Sequence, residues 1–159
     1  MERKRPIRRQ IKIMLEKAYE KNPGPWVNHS CIVGETAEKI AEDLGLDKDF
    51  AYACGCLHDI GRTNGFSYIK HILDGYRLLE KEYPDIGKIC LTHSFPLKDV
   101  GTYLGEIDID RKDYEFIERY ISQCTYDDYD LLIQLLDSIV TGEGASLQEK
   151  RMIDVIIRY

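Results

Sequence analysis

Apolar residues recur along most of the chain at three- and four-residue intervals, the period of helices with one buried face. Ile7, Ile11, Met14, Leu15 and Tyr19 predict a first amphipathic helix over residues 5–20, broken by Asn22-Pro23-Gly24-Pro25. Trp26 leads into a second helix reaching about Leu44, with Ile32, Val33, Thr36, Ala37, Ile40 and Ala41 on its inner face and Gly45 closing it. Asp47 is placed to cap a third, which runs through Phe50, Ala51, Ala53 and Cys54 to Leu57. Arg62-Thr63-Asn64-Gly65 reads as a polar loop and Ser67 as the cap of a fourth helix, which carries His71, Ile72, Gly75, Leu78, Leu79 and Tyr83 and stops at Pro84. A short helix over Asp85 to Leu91 ends at Thr92-His93-Ser94, and residues 94–111 show no period. Asp113 to Ser122 is amphipathic. Tyr126 to Thr141 is apolar around most of its circumference through Leu131, Leu132, Leu135, Leu136, Ile139 and Val140. Met152, Ile153, Ile156 and Ile157 form the stripe of a last helix over Leu147 to Tyr159. With no useful strand alternation and no internal repeat, the pattern predicts an all-α fold, a compact single-domain helical bundle. Its parts are an N-terminal helix and linker (1–24), a core (25–142) and a C-terminal helix packed on the same domain (143–159).

Composition narrows the setting without changing the fold. The 159 residues, 43% apolar and 31% charged, suit one soluble globular domain. No apolar run is long enough to span a bilayer and no signal-peptide pattern opens the chain, so a cytoplasmic protein without membrane association is expected. The net charge of -6 conceals an asymmetry: residues 1–12 carry Arg3, Lys4, Arg5, Arg8, Arg9 and Lys12 against Glu2, a net +5, leaving -11 for the rest. Such an arm reads as a nucleic-acid or acidic-lipid contact, as a homodimer contact, or as the solvated start of a helix; the acidic remainder argues against long nucleic acid as the main ligand. Cys31, Cys54, Cys56, Cys90 and Cys124 contain no CxxC pair and sit among apolar neighbours, so they read as buried reduced thiols.

The candidate chemistry lies in the histidines and two aspartates. All four histidines fall at the ends of apolar helices, His29 and His71 near starts, His58 and His93 near ends. Asp59 follows His58 directly. Adjacent residues on a helix point about 100° apart, so both reach one ion only where the helix ends. Asp137 lies inside the most apolar helix, where a lone carboxylate is strongly unfavourable and must be protonated, paired or metal-bound. Imidazole and carboxylate ligands without cysteine suit first-row ions other than structural zinc, with Fe or Mn ahead of Zn, Co, Ni or Mg. Arg62, Lys70 and Lys98 are candidate phosphate contacts.

His29, His58-Asp59 29 residues later, and Asp137 within a late apolar helix together resemble the HD-domain superfamily of metal-dependent phosphohydrolases. The most telling stretches are Trp26-Val27-Asn28-His29-Ser30 and His58-Asp59-Ile60-Gly61-Arg62, and the resemblance covers residues 25–142. It implies the HD-type bundle, with His29, His58, Asp59 and Asp137 on a first divalent ion. His71 in His71-x-x-x-Gly75 and His93 in Leu91-Thr92-His93 match the extra histidines of the dinuclear branch, which includes small bacterial enzymes that cleave diadenosine tetraphosphate. One or two ions per chain are therefore implied, with Asp59 bridging two. The implied activity is hydrolysis of a phosphate ester or anhydride of a nucleotide or other small phosphorylated metabolite by metal-activated water, with Asp59 and Arg62 as catalytic residues. A non-catalytic nucleotide-binding or regulatory module, and an iron oxygenase on the same scaffold, are the alternatives. Three departures bear on this. Ser94 stands where dinuclear relatives commonly carry a second adjacent histidine, which weakens the second ion. The glycine-tyrosine-proline signature of the cyclic-dinucleotide enzymes is absent. Arg62 replaces a common lysine.

Overall fold

A computed structural model describes residues 3–141 and 144–145 of the chain. It contains α1 (Arg8–Lys21), α2 (Trp26–Asp43), α3 (Lys48–Leu57), α4 (Lys70–Leu79), α5 (Pro84–Thr92), α6 (Arg111–Gln123) and α7 (Asp128–Ile139). The all-α expectation holds, with one small addition. Val140–Thr141 (β1) and Gly144–Ala145 (β2) form a two-residue antiparallel ladder that reverses the chain after α7. The C-terminal helix expected over Leu147 to Tyr159 lies outside the described residues.

Several boundaries follow the expected chemistry. The Asp47 carboxylate accepts from the Phe50 amide, which satisfies a free donor at the start of α3. Asp110 and Asp127 cap α6 and α7 in the same way. Others differ. Ser67 does not cap α4; the Asp108 carboxylate, from the long loop before α6, accepts from the amides of Tyr68 and Lys70 at 2.8 and 2.9 Å. Two donors are met by one distant carboxylate, which also ties that loop to the helix. Residues 60–64 form a 3₁₀ turn rather than an open loop. Helix α4 ends at Leu79, and Pro84 opens α5 at its first turn, where a missing N–H costs nothing.

The apolar side chains gather into two clusters. The larger takes Ile11, Leu15 and Ala18 from α1, Val33, Ala37 and Ala41 from α2, the inner face of α3, and Leu132, Ile133 and Leu136 from α7. The smaller joins Ile69, Ile72 and Leu73 of the α4 region to Leu91, Phe95, Val100, Ile117 and Ile121. α2 and α3 approach at glycines: a Cβ on Gly55 would stand 2.6 Å from the Gly34 backbone, so neither position has room for a side chain. The α7 stripe is narrower than expected. Leu131 and Leu135 are about half exposed, while Asp130 and Gln134 are buried in their stead. Helix α5 contributes to both clusters, and the seam between them is where the histidines converge.

Candidate metal centre

Leu57 and Ile60, which flank His58 and Asp59 in the chain, belong to the larger cluster, whereas Ile69, Ile72, Leu91 and Phe95, which flank His71 and His93, belong to the smaller one. His29, in the first turn of α2, and Asp137, in the last turn of α7, close the ring. His29 Nε2 lies 2.9 Å from Asp137 Oδ1, and His58 Nε2 lies 3.3 Å from the same oxygen. Asp59 Oδ1 faces Nε2 of His71 at 3.1 Å and of His93 at 3.6 Å; Asp59 Oδ2 faces His58 Nε2 at 3.9 Å. All six residues read from the sequence as ligands therefore meet in one place. Contrary to expectation, Asp137 is not sealed in an apolar helix interior: it stands 31% exposed on the rim.

Three imidazoles are oriented from behind. His58 Nδ1–H donates to the Gly55 carbonyl at 2.7 Å, His93 Nδ1–H to the Cys90 carbonyl at 3.0 Å, and His71 Nδ1–H to the Tyr68 carbonyl. Each bond fixes the proton on Nδ1 and leaves the Nε2 lone pair aimed inward, the tautomer a metal requires. His58 Nε2 and Asp59 Oδ1 are buried without a hydrogen-bond partner in the protein. A buried polar atom left so is costly, and two of them facing a common point fit a cation between them. His29, His58 and Asp137 form one group that could hold an ion, and His58, Asp59 and His93 another.

The close approach depends on Gly61. A Cβ there would collide with the His71 carbonyl and stand 2.5 Å from the Gly75 nitrogen, so only glycine lets the turn after Asp59 lie against α4. Gly75 makes room for the neighbouring helix α5, whose Cys90 lies 3.1 Å from where its Cβ would be.

Electrostatics in the metal-free protein match the donor set. Burial would lower the His58 imidazole, but the carboxylates of Asp59 and Asp137 and the Gly55 carbonyl outweigh it and raise it to about 9. Burial acts to raise Asp59, yet Arg62, His58 and His71 hold it well below the usual carboxylate range. Asp137 is likewise held low against burial by its bond to His29 and by the His58 imidazole beside it. Burial, reinforced by His58, pushes His93 down to about 4. A proton on His58 thus occupies the charge position that a cation would take.

Arg62 is not a surface ion pair. Its Nε donates to Asp59 Oδ2 at 2.7 Å, and another guanidinium nitrogen lies 3.4 Å from His71 Nε2. Lys70 and Lys98 do not join it: Lys70 pairs with Asp74 at 2.7 Å, and Lys98 donates to the Cys124 carbonyl and lies over the Tyr126 ring. The cysteines stay out of the ligand set. All five are free thiols, and burial pushes Cys54 far up, Cys56 to about 12 and Cys90 up as well.

Sequence reading missed Thr92, Asp130 and Gln134. Asp130 Oδ1 accepts from Thr92 Oγ1 at 2.6 Å, and Gln134 Nε2 donates to the Thr92 carbonyl at 2.9 Å, directly before His93. Polar residues at 130 and 134, four apart on one helix, carried no signal of their own, because their partner Thr92 lies about forty residues away in the chain. The basic arm is also accounted for in part. Arg3 pairs with Asp127 and lies over Phe50 and Tyr129, Arg5 pairs with Asp47, and Arg8 pairs with Glu38 and lies over Tyr52.

Among the described residues, no helix is long and apolar enough to cross a membrane. The HD domain family model matches residues 26–139. The crystal structure of the HD domain of the L. monocytogenes phosphodiesterase PgpH is similar, with 23% identity over 91% of this chain and 82% of that one and a TM-score of 0.60, a likeness of fold. No curated protein matches the chain. With all but the first and last stretches of the chain inside the family match, and the histidine-aspartate pair at its centre, the chain belongs to the HD-domain family.

Proposed function

We propose that the chain is a metal-dependent phosphohydrolase that cleaves a phosphate ester or anhydride of a small phosphorylated metabolite, with nucleotides as the leading class. The observation that carries this reading is Asp59: its Oδ1 faces His71 and His93, its Oδ2 faces His58 and Arg62, and Oδ1 has no partner in the protein. A carboxylate so placed suits a bridge between two divalent ions, with His29, His58 and Asp137 on one side and His71 and His93 on the other. Fe or Mn fits this donor set best. When bound, such ions supply charge neutralisation on phosphate and an activated water.

The chain's own residues do the rest. The carbonyls behind His58, His71 and His93 hold three imidazoles in register before any ion arrives. Arg62 orients Asp59 through Oδ2 and offers its remaining N–H groups to phosphate oxygens. Asp59 would hold the ions and, through them, the water they activate in place. Asp137 and His29, on the exposed rim, mark the side from which substrate enters. The nucleotide class is supported by Phe66, 81% exposed and edge-on to Tyr68 at 5.3 Å. Phe66 and Tyr68 precede His71 by five and three residues, so an open aromatic face in the segment leading to a proposed ligand suits stacking with a base.

The test is metal content by elemental mass spectrometry after anaerobic purification without chelator. Phosphate and nucleoside release are then measured from mono-, di- and dinucleotides beside ribose 5-phosphate. Close to two Fe or Mn per chain with hydrolysis that Asp59→Asn abolishes supports the reading. Failure to retain or take up metal, or a fully loaded protein that hydrolyses no phosphate ester or anhydride, overturns it. Equal turnover of ribose 5-phosphate and nucleotides overturns the base-stacking part alone.

A further inference from the structure

Helix α7 buries two polar side chains where leucines were available. Asp130 is fully buried and Gln134 is 8% exposed, while Leu131 and Leu135 face outward. Both polar groups converge on Thr92, the last residue of α5 and itself fully buried. Asp130 Oδ1 accepts from the Thr92 hydroxyl at 2.6 Å, and Asp130 Oδ2 accepts from Lys88 Nζ, one turn earlier on α5, at 2.6 Å and from the Asp127 amide at 2.8 Å. Gln134 Nε2 donates to the Thr92 carbonyl at 2.9 Å, one of the carbonyls that a helix end leaves without an intrahelical partner. Every one of these bonds joins α5 to α7 except the last cap on Asp127.

Apolar packing is non-directional and would hold α5 against α7 at several small rotations. A satisfied buried polar network selects one. The selection matters because the next residue is His93, whose Nε2 lies 3.6 Å from Asp59 Oδ1, and because Asp137 lies three residues beyond Gln134 on the same α7. We infer that Thr92, Asp130 and Gln134 are positioning residues for the second ion: they set where α5 presents His93 relative to Asp59. This rests on the dinuclear reading of the centre. Of the first ion's ligands, His29 and His58 lie on neither α5 nor α7, and Asp137 keeps its place in the last turn of α7 if α5 shifts, so loosening the network acts more on the second ion than on the first.

The test is stepwise Mn²⁺ binding to the metal-free full chain, followed by electron paramagnetic resonance and calorimetry. Thr92→Val keeps the side-chain shape and removes the hydroxyl; Thr92→Ser restores it. The wild type is expected to bind two Mn²⁺ per chain. Thr92→Val should weaken the second by about 10–100-fold, as loss of groups that orient metal ligands does, and change the first far less. Thr92→Ser should restore the second. Gln134→Leu, which keeps α7 apolar, repeats the measurement should Thr92→Val fold poorly. Two wild-type sites with both variants binding like wild type would overturn the inference and leave the dinuclear reading standing. Loss of both ions together would reduce the network to a general stabilising role, and would overturn the inference as well. A single Mn²⁺ in the wild type overturns the dinuclear reading, and the inference with it.

Discussion

His29 and Asp137 meet on the rim of the centre, 17% and 31% exposed, and their contact is a direct side-chain hydrogen bond between two helices distant in sequence. His71 and His93 are 3% and 2% exposed and are aimed by backbone carbonyls of their own helical turns. One half of the centre is thus open and held together by its ligands; the other is closed and arranged before any ligand binds. Water must be removed to build the closed half, and the fixed carbonyls and the Thr92 network offset that by holding the imidazoles in the required tautomer and position. On the proposed reading, the open half is the side from which ions and substrate would exchange.

Asp59 joins the halves, so its loss should have the largest effect. Asp59→Asn keeps the shape but removes the charge that balances His58, Arg62 and the ions. Since metal activation contributes several kcal/mol of transition-state stabilisation, hydrolysis should fall by about a thousandfold or more. Metal analysis of the purified variant should show fewer than one ion per chain; two retained ions would contradict the bridging role. Removing ligands one side at a time separates the halves. His29→Ala should weaken the ion of the open half and His93→Ala that of the closed half, each leaving about one ion per chain. Loss of both ions from either variant would show that the halves do not act separately.

Much of this was legible in the sequence because ligands and apolar periodicity leave local marks. A histidine at a helix end, or an aspartate among leucines, stands out from neighbours within one turn, and so His29, His58, Asp59, His71, His93 and Asp137 could be read one by one. The helices were readable for the same reason. What stayed hidden was set by contacts distant in sequence. The cap of α4 comes from Asp108, 38 residues after the Lys70 amide it serves, so the nearby Ser67 was a false signal. Asp130 and Gln134 look like the polar edge of an amphipathic helix until α5 arrives with Thr92. Arg62 gave no local sign of whether it faced water or Asp59, since both choices place an arginine three residues after an aspartate.

The next effect in size is steric. Gly61→Ala should push the turn carrying Asp59 away from α4, because its methyl would meet the His71 carbonyl and the Gly75 nitrogen. Backbone on both sides leaves little to yield, and the loss should be about 2–3 kcal/mol of stability, typical of overpacking. Urea unfolding measures it. Since His71 belongs to the closed half, metal binding there should weaken along with stability, and a variant as stable as wild type would show that the approach is not tight.

Titration sharpens the contrast further. In metal-free protein His58, raised to about 9, keeps a proton that the unfolded chain loses near 6.5, so this contribution to stability is full below 6.5 and is lost as pH rises through about 9. His93, lowered to about 4, acts the other way: below 6.5 the unfolded chain gains a proton that the folded one refuses, and stability falls toward 4. Asp59 and Asp137, held low, add a further loss once pH drops below their ordinary value of 3.8. Thermal unfolding of the metal-free chain should therefore peak near pH 6.5. Because an ion must displace the His58 proton, the rise in Tm on adding Mn²⁺ should grow as pH increases from 6 to 8.5. A rise independent of pH would show that His58 is not the group displaced.

The smallest effect should come from the basic arm, which by charge alone was the strongest hint of a nucleic-acid partner. In the fold several of its cations are committed within the chain: Arg5 lies 2.7 Å from Asp47 and 3.7 Å from Asp49, and Arg8 pairs with Glu38 and covers Tyr52 at 4.1 Å. Exposed pairs of this kind contribute about 0–1 kcal/mol each and are screened by salt. Arg5→Gln and Arg8→Gln should each lower Tm slightly at low salt and less at high salt. Neither residue approaches the centre, so phosphate-ester hydrolysis and metal content should stay at wild-type values. A several-fold loss of hydrolysis in either variant, at unchanged Tm and metal content, would mean that the arm reaches substrate, and that the open half of the centre extends beyond His29 and Asp137.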